Sequence, residues 1–330
     1  MFEARLVFQD GGVLDVAVNA DETLAEAAQR LDLPTRQDCL SGECGACIAR
    51  HTSGDIESDP TELLTQEERR EGLALTCQTR LASNAAFELD YPLTPAPTAA
   101  NRYDATVTAV DQLNGTTSRL RLLLSDADDL WFAPGQYVRL RPPGLRVARP
   151  YSISSTPADL PSIELLIRHV PGGAVSGWLE ASAAPGQVVR LQAPLGGFAR
   201  DDRSDRQIFI GGGTGLAPLL SMIQASDAST GRRLLCFGCS TPTDLFHIET
   251  LRALQAARTD LEVRIAVMSG EVDGIAKGTA VDLLRPEDLE AGCAVHLCGP
   301  PMMVTAAQSF LRQHDVPARA IRSERFSLRA

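Results

Sequence analysis

No stretch of this chain approaches the roughly 18–20 consecutive apolar residues that a membrane-crossing helix requires. Its first residues, Met1–Gln9, carry Glu3 and Arg5 and lack the apolar core of a secretory signal. A soluble, cytoplasmic protein is therefore expected, with no role at a membrane. There is no basic excess: the net charge is −11, which argues against nucleic acid as a partner. Internal repeats and low-complexity tracts are also missing. With 44% apolar and 22% charged residues, the composition is that of an ordinary globular chain and not of a disordered one. At 330 residues it can hold two or three domains, each with its own core.

The charge that is present is unevenly placed. Residues 1–94 hold 18 carboxylates against 7 arginines, whereas residues 95–330 hold 24 groups of each sign. All the excess negative charge therefore lies in the N-terminal third. It predicts a protein partner with a basic docking patch, with Glu57, Asp59, Glu62, Glu67 and Glu68 as candidate docking groups. The plain alternative is a surface that only aids solubility. The eight cysteines are uneven too, with four between Cys39 and Cys77 and the rest at Cys236, Cys239, Cys293 and Cys298. An intracellular chain does not ordinarily use them for disulfides.

Patterning divides the chain into residues 1–94, a join at 95–101, and segments 102–203 and 204–330. The first opens with alternating runs, Ala4–Phe8 and Val13–Val18, about Asp10–Gly12, which predicts a β-hairpin. Asp21 is placed to cap a helix running to Leu31, and the whole predicts a small α+β domain. Tyr91–Ala100 is rich in Pro and Ala, uncharged, and reads as a linker. The second segment has six short runs separated by Gly, Pro, Asp and Asn, the pattern of an antiparallel barrel. In the third, strands at Gln207–Ile210, Leu234–Gly238, Glu262–Val267 and Ala294–Cys298 alternate with helical stretches. That predicts a parallel sheet covered on both faces.

The most specific signal is Asp38–Cys39–Leu40–Ser41–Gly42–Glu43–Cys44–Gly45–Ala46–Cys47, followed by Cys77. The spacing C-x4-C-x2-C…C is that of a plant-type [2Fe–2S] site. Two irons need four thiolates, and one tight loop can supply three of them. Gly42 and Gly45 permit the backbone turns this requires. Zinc sites usually pair two C-x2-C knuckles, and between Cys39 and Cys77 only Cys44–Cys47 has that form.

Further motifs follow in order. Arg149–Pro150–Tyr151–Ser152 combines a forked cation, a flat ring and a hydroxyl. Arg168–His169–Val170–Pro171–Gly172–Gly173–Ala174–Val175–Ser176 follows on the next strand and a Gly-rich turn. Ala193–Phe198 forms a further Gly-rich turn. Gly211–Gly212–Gly213–Thr214–Gly215–Leu216–Ala217–Pro218 follows a strand and opens a helix, where glycines allow a phosphate to approach closely. It is not a G-x-G-x-x-G. Cys298–Gly299–Pro300 ends a later strand, and Glu324–Arg325–Phe326 lies near the end of the chain.

Together these features resemble the reductase components of bacterial aromatic-ring-hydroxylating dioxygenases, of the benzoate/anthranilate 1,2-dioxygenase reductase type, over essentially the whole length. The resemblance implies a β-grasp [2Fe–2S] ferredoxin domain, an antiparallel β-barrel FAD domain and a parallel-sheet NAD-binding domain. It implies Cys39, Cys44, Cys47 and Cys77 as cluster ligands. Arg149 would meet the FAD pyrophosphate, Tyr151 would stack on the isoalloxazine, and Ser152 would meet flavin N5. Arg168, Val170, Gly173, Ala174, Val175 and Ser176 would complete the flavin site. Gly212, Gly213, Thr214, Gly215, Pro218, Gly299 and Pro300 would hold NADH. Cys298 would lie beside the nicotinamide, and Glu324 and Phe326 at the flavin face that it approaches. Read alone, Cys298 is equally a buried strand cysteine, and Phe326 a core residue of a terminal strand. Cys236–Phe237–Gly238–Cys239 reads as packing. Ser240–Thr243 has no Arg or Lys to meet a 2′-phosphate, which favours NADH. The expected activity is electron transfer from NADH through FAD and the cluster to a terminal oxygenase, by a monomer. The alternatives are the reductase of a soluble diiron monooxygenase (phenol, alkene or methane type), which shares this domain order, and a carrier or redox sensor, which would need only residues 1–94.

Overall fold

The computed structural model describes residues 1–42, 44–61, 63–91, 93, 100–201, 204–226, 231–290, 292–317 and 320–326. Most of the expected join, and the candidate docking residue Glu62, lie outside the described residues. The chain divides into two compact units, Met1–Ala99 and Ala100–Ala330.

The first unit holds β1 (Phe2–Val7), β2 (Val13–Val18), α1 (Leu24–Arg30), β3 (Ile48–Ser53), β4 (Ile56–Ser58), α2 (Gln66–Arg70), β5 (Leu73–Leu75), β6 (Thr79–Leu81) and β7 (Ala85–Glu88). The main sheet runs β2-β1-β7-β3-β5, with β1 and β7 parallel, while β4 and β6 form a separate pair. Alternation sends Ala4, Leu6, Val16, Val18 and Phe87 inward, where Leu24 and Ala27 of α1 close the core. The helix starts later than expected. Thr23, not Asp21, is the cap: its hydroxyl accepts from the Glu26 N–H at 3.2 Å while Glu26 accepts from the Thr23 N–H at 2.8 Å. This reciprocal box satisfies two free donors at once, which a lone carboxylate at Asp21 does not. Thr65 and Glu68 form the same box on α2, so Glu68 is buried and structural and is not a docking group. The chain after β7 is still part of this unit. Tyr91 packs edge-on against Phe8, and the Leu93 N–H reaches Asp10 at 3.1 Å.

The second unit begins with β8 (Asn101–Asn114), β9 (Thr117–Leu124), β10 (Tyr137–Arg141), β11 (Arg149–Ser152), β12 (Ser162–Arg168), α3 (Ala174–Ala181) and β13 (Val188–Leu195). The strand order is β11-β10-β13-β8-β9-β12, all antiparallel, and the Ile153–Leu165 bridge joins the two edges into a barrel. Val175, Trp178 and Leu179 of α3 join the barrel core. A parallel sheet follows: β14 (Arg206–Gly212), α4 (Leu216–Gln224), β15 (Arg232–Cys239), α5 (Ile248–Ala257), β16 (Leu261–Val267), β17 (Ala276–Lys277), β18 (Ala294–Gly299), α6 (Pro301–Gln313) and β19 (Ile321–Arg325). Its order is β17-β16-β15-β14-β18-β19. On β14, Phe209 faces α4 and α5, while Ile208 and Ile210 face α6. Barrel and sheet are joined by packing and by hydrogen bonds. Leu166 and Phe198 enter the core beneath α4, and the buried Ser221 hydroxyl donates to the Ser155 carbonyl at 2.6 Å. Among the described residues no helix is long and apolar enough to cross a membrane.

Candidate functional site

In the first unit the cysteine loop joins α1 to β3. Leu40, Gly42 and Gly45 all have φ between +56° and +76°, so the loop curls tightly on itself. This brings the four expected thiols together. The Sγ atoms of Cys47 and Cys77 lie 3.3 Å apart, and the Cys39 thiol hydrogen-bonds with both Cys44 and Cys77. Crowding sets them against one another: hydrogen bonds from neighbouring thiols pull Cys39 and Cys47 down, while those to Cys39 push Cys44 and Cys77 up. Four such groups can all be thiolates only around a cation. The soft, convergent sulfur set therefore fits an iron–sulfur cluster.

In the barrel, β11 carries Arg149, Tyr151 and Ser152. The Tyr151 ring packs on the barrel core, where burial pushes its phenol up; Ser152 is buried. The loop between β12 and α3 is held from within, because the Val170 N–H donates to Ser176 Oγ at 2.8 Å. Gly173 caps α3 without a side chain, and no acidic residue lies in the first turn at Ala174–Ser176. The turn therefore suits an anion. His169 makes side-chain bonds as well as packing: one ring nitrogen lies 2.9 Å from Ser118 Oγ and the other 3.2 Å from Glu180. Arg168 extends from the barrel strand toward the other sheet. Its guanidinium lies 4.0 Å from where a Gly213 side chain would begin.

The glycine turn after β14 and the turn after β18 flank the point where strand order reverses, the usual ligand crevice of such sheets. Their glycines are required by contact with each other. A Cβ at Gly215 would collide with the Cys298 carbonyl, and one at Gly299 would lie 3.0 Å from the Gly212 nitrogen. At Gly212 it would meet Met303 Sδ at 2.7 Å and Pro300 Cδ at 3.0 Å. Gly213 has φ +53°, Thr214 is half-buried beside it, and Pro218 lies in the first turn of α4.

These two halves meet at Glu324. β18 and β19 pair Cys298 with Glu324, and Glu324 Oε2 accepts from Ser152 Oγ at 3.1 Å and lies 3.8 Å from Cys298 Sγ. Cys298 is fully buried, and burial with the Glu324 carboxylate beside it pushes the thiol well up, keeping it protonated. Phe326 follows β19; its N–H donates to the Gly299 carbonyl at 3.0 Å and its ring packs on the core beneath α4. Cys236 and Cys239 fall on opposite faces of the sheet, each pushed up to about 12 by burial, so they do not act as a pair. Sequence patterning missed Tyr137, whose ring backs Gly196, and Met303, because neither belongs to a motif.

A thiol quartet, an anion-binding barrel end and a dinucleotide crevice in one chain define an NAD-dependent iron–sulfur flavoprotein reductase. The sequence matches three domain families in this order: 2Fe-2S iron-sulfur cluster binding domain over residues 7–82, oxidoreductase FAD-binding domain over 104–199, and oxidoreductase NAD-binding domain over 209–309. It is 32% identical to the toluate 1,2-dioxygenase electron transfer component of Pseudomonas putida, with 98% of each chain covered. It is 30% identical to the propane 2-monooxygenase reductase component of Rhodococcus jostii, over 95% of this chain and 89% of that one. Among solved structures, a cytochrome P450 reductase from Amycolatopsis superimposes with a TM-score of 0.72 at 30% identity, covering 99% of both chains. The chain belongs to the family of bacterial oxygenase electron transfer components, and its cofactors are a [2Fe–2S] cluster, FAD and NAD.

Proposed function

We propose that this reductase takes electrons from NADH and delivers them, through residues 1–94, to the terminal oxygenase of an aromatic-ring dioxygenase. The single observation that carries the site assignment is the convergence of Ser152 and Cys298 on one carboxylate, Glu324. Ser152 comes from the barrel strand expected to face flavin, and Cys298 from the sheet crevice expected to hold nicotinamide. When bound, the cofactors supply hydride transfer and single-electron transfer. The chain's own part is to bind and orient them. Arg149, Tyr151 and the start of α3 would hold FAD. Gly212–Gly215, Pro218 and Cys298–Pro300 would hold NADH, with Arg168 set between the two phosphate groups. Glu324 accepts the Ser152 hydroxyl hydrogen and so fixes the direction of Oγ, and the protonated Cys298 thiol adds no second negative charge beside that carboxylate. The NADH preference gains support from Asp244, which accepts from the Thr241 N–H and hydroxyl at 3.0 and 2.7 Å. A 2′-phosphate would meet a carboxylate there.

The test is rapid-mixing reduction of the flavin by NADH. Ser152→Ala and Glu324→Gln should each slow it on the order of 10²-fold, the range for a positioned proton group, with FAD still bound. Unchanged rates would sink the assignment. Cys44→Ser should remove iron and leave flavin reduction intact. A cytoplasmic monomer is the proposed working form. The likeness to the propane monooxygenase component keeps a diiron monooxygenase as the second candidate acceptor, and reconstitution with each oxygenase class distinguishes them.

A further inference from the structure

We propose that Gln78 sets the reduction potential of the iron–sulfur cluster through a side-chain hydrogen bond to Cys77. This rests on the reading that Cys39, Cys44, Cys47 and Cys77 hold the cluster. Three of the four thiols draw on backbone N–H groups: Ser41 for Cys39, at 3.5 Å, Ala46 for Cys44, and Cys77 for Cys47. Side chains add to these, Ser41 for Cys39 and Thr76 for Cys47, while Cys77, outside the loop, draws on the Gln78 side chain. Gln78 Nε2 lies 3.8 Å from Cys77 Sγ and also donates to the Cys77 carbonyl at 3.0 Å. Gln78 is fixed at its backbone, and its side chain packs across the loop. Its own backbone carbonyl accepts from the Asp59 N–H at 2.8 Å. Its Cγ and Cδ lie 3.0 and 3.2 Å from where a Gly42 side chain would begin, so Gly42 leaves room for the chain to cross the loop.

An N–H donor stabilises negative charge on a ligand sulfur, and a reduced cluster carries one more negative charge than an oxidised one. The bond is therefore stronger after reduction and raises the potential. Removing it should favour the oxidised state.

The test compares the full chain with Gln78→Leu, which keeps the bulk and loses the donor, and with Gln78→Glu, which replaces the donor by a carboxylate. Iron content and the visible and EPR spectra report whether the cluster is held; midpoint titration reports the inference. With two irons bound, Gln78→Leu should shift the electron equilibrium away from the cluster by about tenfold, or about 59 mV for one electron, and Gln78→Glu further in the same direction. Unchanged midpoints in loaded variants overturn the proposal. If neither variant holds iron, protein labelled with ¹⁵N in the glutamine side chain decides. A coupling of that nitrogen to the reduced cluster supports the bond, and its absence overturns it. Unmodified protein without iron would instead overturn the cluster reading itself.

Discussion

His296 on β18 is fully buried, stacked on Phe209 with ring centroids 5.1 Å apart, and accepts the Asp201 N–H at 3.2 Å. Burial, with Arg322 and Arg200 nearby, lowers its pKa from 6.5 to about 3 despite the opposing charge of Asp201. The unfolded chain thus binds this proton from about pH 6.5 downward, while the folded chain refuses it until about pH 3. Stability present above that window is lost as pH falls through it, by up to about 1.4 kcal/mol per unit. Thermal unfolding of the second unit should become steeply acid-sensitive below pH 6.5. His296→Gln, which keeps an acceptor without the titration, should flatten that slope; an equal slope would assign the sensitivity to other groups. Gly215→Ala should abolish NADH reduction while leaving FAD bound, because the new methyl strikes the Cys298 carbonyl. A bound dinucleotide in that variant, seen by calorimetry, would contradict the contact. At this scale the sequence singles out residues wherever chemistry restricts the residue type: the four cysteines it marks converge, and Gly212 and Gly215 lie where a side chain would collide. It was silent on Tyr137 and Met303, whose parts depend on which distant glycine they face.

Elements were legible where periodicity was strong. The six barrel strands and the four main strands of the parallel sheet lie where alternation and apolar runs place them. The two-residue β17 is too short to carry a period, and β19 was legible only as the possible terminal strand behind Phe326. The start of α1 was misread for a specific reason. Asp21 and Thr23 are both good caps by type, and only Glu26, three residues beyond Thr23, decides between them. Thr23→Ala should therefore cost the first unit about 1 kcal/mol, whereas Asp21→Ala should cost a few tenths at most. Thermal loss of the cluster absorbance in the two variants measures the difference, and equal losses would return the cap to Asp21. Partly buried ion pairs at the far end of the parallel sheet have a similar local logic. Arg258 donates to the Ile223 and Ser226 carbonyls at 2.8 and 3.1 Å, satisfying the end of α4, and is itself paired with Asp260.

Across the whole molecule the charge division is the feature with the clearest kinetic consequence. The −11 lies entirely in residues 1–94, and the rest of the chain is neutral. Glu57 and Glu67 are exposed on this unit, while Asp59 is paired with Arg80 at 3.0 Å and Glu68 is consumed by its helix cap. Steering by such a field weakens with salt, since the Debye length falls from about 10 Å at 0.1 M to about 3 Å at 1 M. The proposed NADH and FAD sites are built from residues of the second unit, so flavin reduction should change little over that range. Delivery to the oxygenase at limiting concentration should slow steeply. Glu57→Lys and Glu67→Lys should each lower the association rate several-fold at low salt and leave the dissociation rate, the iron content and the cluster spectrum nearly unchanged. Glu68→Lys should instead destabilise the unit, because it breaks a buried capping box. Stopped-flow oxidation of prereduced protein by its oxygenase, run across a salt series, separates these outcomes. A rate that stays flat from low to high salt would mean that docking is apolar, and that the acidic surface only keeps the protein in solution.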